Sequence, residues 1–181
     1  MGARSFYFLI ALCIGWVPAK SQTEHVLEVG VRVQKTVHLY LENGFSVQYT
    51  NKNTLAEKWY FGIDYVTSRL GSALGRNALK QGNLLLSSSL MMRPGKQFRP
   101  VVRLNTGYFK VNYEEDMFKR LPDSSLLLST EVGTCLDLDL PLKFTATMGY
   151  NLITGNGVKG PGTLFPLFFQ TTLAWDVFQK L

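Results

Sequence analysis

The sequence predicts an all-β protein, folded as an eight-stranded antiparallel up-and-down transmembrane β-barrel. Three observations lead to this prediction. Apolar and polar residues alternate in eight segments, the connectors between them alternate between short and long, and glycines recur at polar positions in the middle of the segments. Alternation with a period of two is typical of strands with one apolar and one polar face, and about ten residues suffice to cross an outer membrane.

The first element along the chain is an export signal. Arg4 precedes an apolar run over 6–18, and small residues then occupy positions 19 and 21, as a signal peptidase requires. The run is too short for a spanning helix, which needs about 20 apolar residues. We therefore predict a signal peptide over 1–21 and a single outer-membrane β-barrel domain over 22–181.

Cysteine and charge exclude several classes of protein. Cys13 lies inside the predicted signal, so Cys135 is left without a disulfide partner in its own chain, and no cysteine metal site can form. Cleavage also removes Arg4 and Lys20, which lowers the net charge from +6 to +4. The remaining basic residues are scattered without a dense run, so we expect no nucleic-acid partner, and we predict no metal and no cofactor.

The first four predicted strands comprise 26–34, 44–50, 59–68 and 84–92. In the first three, every second residue is apolar, as with Val29, Val31 and Val33 around Gly30 and Arg32. The fourth segment, LLLSSSLMM, alternates less cleanly.

The last four predicted strands comprise 100–113, 125–140, 142–153 and 166–178. Residues 100–113 begin with clear alternation, but Phe109 and Val111 fall on the polar side, which leaves the orientation of that end open. The other three segments alternate more regularly.

Connector lengths indicate which ends of the strands lie together. The short turns are 51–58, 93–99 and 139–142. The longer loops, rich in Gly, Lys, Arg, Asn or Pro, are 69–83, 112–124 and 154–165. Short turns at one end and long loops at the other are typical of outer-membrane barrels. The first connector, 35–43, is ambiguous because VHLYL could extend either neighbouring strand.

Eight alternating strands are compatible with two opposite proteins, a soluble calyx with an apolar interior and a membrane barrel with a polar interior. The positions of glycine favour the membrane barrel. The inside of a narrow barrel is crowded, so residues without a side chain are useful there, whereas a glycine in a strand whose polar face is solvated only weakens that strand. The mid-strand glycines of the polar face are Gly30, Gly62, Gly107, Gly133 and Gly149.

Charged residues of both signs share the polar face, where enclosure requires them to pair. We predict a polar network inside the barrel, formed by Glu28, Arg32, Asp64, Arg103, Glu131, Asp137, Lys143 and Asp176. A solvated face would also carry charges, so this feature discriminates weakly. It leaves open which carboxylate each cation contacts.

Aromatic residues on the apolar face form two groups, near the two ends of the strands. Amphipathic rings in two girdles are expected at lipid interfaces and have no reason to exist inside a calyx. The predicted interface residues are Tyr49, Trp59 and Trp175 at one boundary and Tyr65, Tyr108 and Tyr150 at the other.

The tracts ENGFSVQYTN, YVTSRLGSA, RLNTGYF and MGYNLITGNGVKGPGTLFP resemble the small outer-membrane β-barrel proteins of Gram-negative bacteria, of the OmpA/OmpX type. The resemblance covers essentially the whole chain after the signal. It implies insertion by the outer-membrane assembly machinery, which recognises an aromatic residue at the end of the last strand. Phe178 matches that residue, although three further residues follow it.

Some barrels of this size modify lipid A, and the deacylases among them carry His and Ser on one late strand. The matching stretch here, GYNLITG, has no histidine. The two histidines, His25 and His38, form no convincing set with a serine and an acid, so we predict no catalytic residues.

The sequence therefore predicts a non-enzymatic outer-membrane protein with a structural or surface-interaction role. Its expected partners are outer-membrane lipid, lipopolysaccharide and an extracellular partner of unspecified identity that would meet the long loops. Two alternatives stay open, a narrow channel or small-ligand barrel and a lipid A-modifying enzyme.

Overall fold

The computed structural model is a closed barrel in which every strand pairs antiparallel with its neighbours and β1 pairs with β8. It describes residues 25–36, 41–52, 55–68, 79–113, 123–138, 140–154 and 166–180. The strands are β1 (His25–Thr36), β2 (Leu41–Asn51), β3 (Trp59–Thr67), β4 (Leu79–Met91), β5 (Phe98–Tyr113), β6 (Ser124–Asp137), β7 (Leu142–Thr154) and β8 (Leu167–Lys180). The predicted fold class is confirmed. None of these described residues forms a helix long and apolar enough to span a membrane.

The observed strand boundaries differ from the predicted ones mainly at the end of the barrel that carries the long connectors. At this end, β4 begins at Leu79 rather than 84, because the polar residues that open it hide the alternation. At the opposite end, β6 ends at Asp137 rather than 140. The ambiguous first connector is shorter than expected, since β1 continues to Thr36 and β2 begins at Leu41. The predicted signal peptide and residues 37–40 lie outside the described residues.

Burial follows the alternation of residue types along each strand. In β1, Glu28, Arg32 and Gln34 are buried, whereas Val31 between them is 63% exposed. Successive side chains of a strand point to opposite faces, so Val29, Val31 and Val33 cover the outside and the polar residues line the inside. The barrel therefore has a polar interior and an apolar outer surface, the reverse of a soluble calyx.

The interior also contains apolar side chains, and these resolve the orientation of Phe109 and Val111. Both are buried inside the barrel. Phe168 of β8 is also buried, and it lies opposite Gly149 of β7 in the strand register. A Cβ atom at position 149 would stand 2.2 Å from Cζ of the Phe168 ring, so glycine is what allows the ring to lie over β7.

Candidate functional site

The interior charges form two separate groups rather than one network. We call the end of the barrel with the short turns the turn end and the opposite end the loop end. The central cluster comprises Arg32, Asp64, Arg103 and Glu131, from β1, β3, β5 and β6. The turn-end cluster comprises Glu28, Tyr60, Arg99, Lys143 and Asp176, from β1, β3, β5, β7 and β8.

Arg32 joins opposite sides of the lumen in the central cluster. Its Nη1 lies 2.8 Å from Asp64 Oδ2, and its Nη2 lies 3.4 Å from Glu131 Oε1. The same guanidinium contacts the side-chain carbonyl of Gln170. One arginine thus connects β1 with β3, β6 and β8 across the middle of the barrel.

Glu131 is the most heavily bonded carboxylate of the central cluster. Asn105 Nδ2 donates to its Oε1 at 2.6 Å and Thr147 Oγ1 donates to its Oε2 at 2.8 Å. Arg103 stands directly opposite it in the β5–β6 register, with Nη1 3.9 Å from Oε2, and donates from Nε to Ser89 Oγ at 2.7 Å. Two guanidinium groups thus face two carboxylates, so the cluster is formally neutral, as burial of ions requires.

Lys143 holds two facing carboxylates together in the turn-end cluster. Glu28 and Asp176 are direct neighbours in the β1–β8 register, an arrangement that is unfavourable without a counter-ion. Lys143 Nζ contacts Glu28 and lies 3.2 Å from Asp176 Oδ1. It also lies 5.6 Å from the centroid of the Tyr60 ring, within the range of a cation–π interaction.

Arg99 completes the turn-end cluster and was not predicted, because its position was assigned to a turn. The side chain is buried and contacts the backbone carbonyl of Glu57, the carbonyl of Met92 at 3.5 Å and Asp137 Oδ2 at 3.9 Å. One guanidinium therefore links elements of several short turns. Its spacing of four residues from Arg103, which puts both on one face of a strand, was the signal that could have identified it.

Asp137 requires a correction to the predicted network. It was expected inside the barrel with the other charges, yet its side chain is 35% exposed. The physical reason is that β6 ends at this residue, which leaves it at the rim beside Arg99. It lies at the solvent-exposed edge of the turn-end cluster, where Arg99 Nη1 is 3.9 Å from its Oδ2.

A further buried acid was missed because it falls within the ambiguous first connector. Glu42 of β2 is buried at the loop end and accepts a hydrogen bond of 2.7 Å from Gln34 Nε2 of β1. The two residues are directly opposite in the register. The alternation over 41–51 would have placed Glu42 on the inner face only if the start of β2 had been known.

The six predicted interface aromatics all lie on the outer face of the barrel. Tyr49, Trp59, Tyr108 and Tyr150 are 40–50% exposed, and Tyr65 packs against Phe45 with ring centroids 5.6 Å apart. Trp175 is less exposed on the outer side of β8.

His25 also lies on this surface at the turn end, where its Nδ1 is 2.7 Å from Tyr49 Oη. His38 lies outside the described residues. Within the part of the chain that the structure describes, His, Cys, Asp and Glu form no group of three that could hold a metal.

Similarity to known proteins is confined to the fold. No family model matches the sequence, and no curated protein matches it. Among solved structures, the fold is similar to the N-terminal β-barrel domain of Pseudomonas aeruginosa OprF, with a TM-score of 0.63, 11% identity and coverage of 85% of this chain and 98% of that chain.

Two further structures have the same architecture. Neisserial surface protein A (NspA) has a TM-score of 0.56 at 10% identity, covering 87% of this chain and 99% of NspA. Ail, the attachment invasion locus protein of Yersinia pestis, has a TM-score of 0.52 at 11% identity, with coverage of 86% of this chain and 99% of Ail. The chain therefore has the fold of the small outer-membrane β-barrels.

Proposed function

We propose that the protein is an integral outer-membrane β-barrel with a closed, polar interior, and that it has a structural or surface-interaction role in the cell envelope. The observation that carries the proposal is the reversed polarity of the barrel. Four charged side chains meet in the centre, while large apolar side chains such as Val31 and Leu126 are 63% and 65% exposed on the outside. Water is a poor solvent for such an exterior, whereas lipid covers it without cost.

The central cluster supports a closed lumen. An eight-stranded barrel is only wide enough for side chains to fill, and Arg32 spans this narrow space between Asp64 and Glu131. We therefore favour a non-conducting barrel over the narrow channel. In planar bilayers, the refolded protein should give no steady single-channel conductance, and regular conductance steps would favour the channel instead.

We also propose that the protein is not an enzyme. The carboxylates of its two charged clusters are paired with cations, an arrangement that stabilises charge rather than activating a nucleophile. Incubation of the refolded barrel with lipid A should leave the acyl pattern unchanged. A lost acyl chain would identify a lipid-modifying barrel.

Cell fractionation tests the proposed location. The mature protein should separate with the outer membrane and should migrate faster on a denaturing gel without boiling than after boiling, because closed barrels resist the detergent until heated. Recovery as a soluble periplasmic protein would contradict the proposal and would support the alternative of a soluble calyx.

A further inference from the structure

Exposed positive charge collects on two neighbouring short turns at the turn end of the barrel. Lys58 lies in the turn between β2 and β3, and Arg93 and Lys96 lie in the turn between β4 and β5. All three are exposed, and among the described residues none of them forms an ion pair. Glu57, the acid of these two turns, is already paired with Lys52 at 2.9 Å. We call Lys58, Arg93 and Lys96 the basic turn patch.

Hydrogen bonds hold the two turns together as one surface. The backbone nitrogen of Met91 donates to the carbonyl of Lys58 at 2.7 Å. The buried Arg99 contacts the carbonyl of Glu57 in the first turn, and its Nε lies 3.5 Å from the carbonyl of Met92 beside the second. The relative position of the three exposed cations is therefore fixed by the fold.

Arg93 occupies a backbone conformation that favours glycine. Its φ is 53°, in the left-handed region, and the next turn residue in that region is Gly95 with a φ of 74°. The backbone of the turn is closed by a hydrogen bond of 3.3 Å from Lys96 N to Arg93 O. A long cationic side chain thus stands at a strained position, and strain of this kind is concentrated at functional sites.

Apolar side chains flank the basic turn patch on the outside of the barrel. Each cation lies within two residues of one of them, and these neighbours are Trp59, Met92 and Phe98, which are 44%, 41% and 63% exposed. Apolar side chains beside cations match the boundary between the hydrocarbon and the headgroups of a membrane. The third short turn, over 138–141, has no basic residue, so this surface is confined to the β2–β5 side.

The charge and depth of the patch favour the headgroup of an anionic phospholipid as its partner. Lysine and arginine near an anionic membrane surface are attracted to it, and the guanidinium group matches the geometry of a phosphate. Two residues of chain span at most about 7 Å, so the cations stay close to the apolar neighbours that contact the hydrocarbon. Such short turns do not extend toward a polymer outside the membrane.

We propose that the basic turn patch binds the headgroup of an anionic phospholipid, such as phosphatidylglycerol, in the leaflet around the turn end. The bound lipid holds this end of the barrel at the level of the headgroups. The inference rests on the proposed function, because it requires the apolar outer face to lie in a membrane.

Quenching of Trp59 by brominated lipid tests the proposal at the patch itself. Trp175→Phe leaves Trp59, the neighbour of Lys58, as the only tryptophan of the chain without its predicted signal peptide. The protein is refolded into vesicles of phosphatidylglycerol and phosphatidylcholine in equal amounts, with the chains of one lipid brominated at a time. We expect about a fivefold preference for phosphatidylglycerol at low salt, which corresponds to about 1 kcal/mol for one Lys or Arg at an anionic surface.

Changing the three cations of the patch to glutamine, as Lys58→Gln, Arg93→Gln and Lys96→Gln in one chain, should abolish the preference. The matched control combines Lys35→Gln with Lys110→Gln, because these exposed lysines lie at the loop end, and it should keep the preference. If the triple variant does not fold, the wild type in about 1 M salt provides the comparison, since screening weakens exposed charge interactions.

The outcomes separate this inference from the proposed function. Equal quenching by both brominated lipids, or a preference that the triple variant keeps, would overturn the lipid site and leave the membrane barrel intact. Trp59 emission that neither lipid quenches would contradict the proposed function itself. Equal quenching together with binding to isolated peptidoglycan that the triple variant loses would overturn the proposal and assign the patch to the cell wall.

Discussion

Arg103 and Leu104 are adjacent in β5 but lie on opposite sides of the barrel wall. Arg103 is 1% exposed and bonds Ser89 beside Glu131, whereas Leu104 is 53% exposed on the outer face. Removing one partner of an enclosed ion pair typically costs about 3–5 kcal/mol, and nearby water reduces the figure. Truncating a lipid-facing leucine costs little, although an arginine introduced there costs about 2–4 kcal/mol near the bilayer midplane.

We therefore expect Arg103→Ala to lower the urea midpoint of the barrel, refolded into lipid vesicles, far more than Leu104→Ala. A greater loss in Leu104→Ala would mean that inside and outside are assigned the wrong way round.

Lys143 offers a second comparison, between an enclosed and an exposed lysine. Lys143→Met leaves Glu28 and Asp176 facing each other without their shared cation, and we expect a loss of about 3–5 kcal/mol in the free energy of unfolding. Lys52→Met is the control, because the Lys52–Glu57 pair lies at the surface, with side chains 39% and 30% exposed, and such pairs contribute about 0–1 kcal/mol. Equal effects in urea titrations would show that the turn-end cluster is not enclosed.

Partner choice in the clusters could not be predicted from the sequence. Alternation placed Arg103 and Glu131 on the polar side of their strands, but their contact depends on the β5–β6 register, which no local pattern specifies. Arg99 was missed for a local reason, since Pro100 and the preceding turn residues concealed the start of β5.

At the scale of the element, alternation predicted strands wherever the two faces differ in polarity. It became ambiguous where the inside is apolar as well, as at Phe109 and Val111, both of which are buried. A segment with two apolar faces shows no period of two, so the loop-end part of β5 had no predicted orientation. The eight strands could be predicted from the sequence. The apolar side chains that fill the interior at the loop end could not.

The pairing of Gly149 with Phe168 across β7 and β8 is testable as a unit. Gly149→Ala places a methyl group where the ring lies, and overpacking of this kind typically costs about 1–3 kcal/mol. Phe168→Leu removes the clash, so the double variant should be more stable than the sum of the two single changes predicts. Additive losses in a double-mutant cycle of urea midpoints would show that the two residues do not interact.

At the scale of the whole molecule, the connectors define the orientation in the membrane. Gly157 lies in the long connector between β7 and β8, outside the described residues, and Gly95 lies in the exposed turn between β4 and β5. A peptide tag at Gly157 should be detected by antibody on intact cells, because long loops face outward. A tag at Gly95 should be detected only after permeabilisation, and the opposite result would reverse the topology.

The central claim, that the apolar face of the barrel contacts lipid, is tested most directly by tryptophan fluorescence in vesicles of brominated lipid. Without the predicted signal peptide, Trp59 and Trp175 are the only tryptophans, and both lie on the outer face toward the turn end. Aromatic girdles lie at the membrane boundary, so bromine near the headgroup should quench their emission more strongly than bromine near the chain ends. Emission that brominated lipids leave unchanged and water-soluble acrylamide quenches would contradict the account.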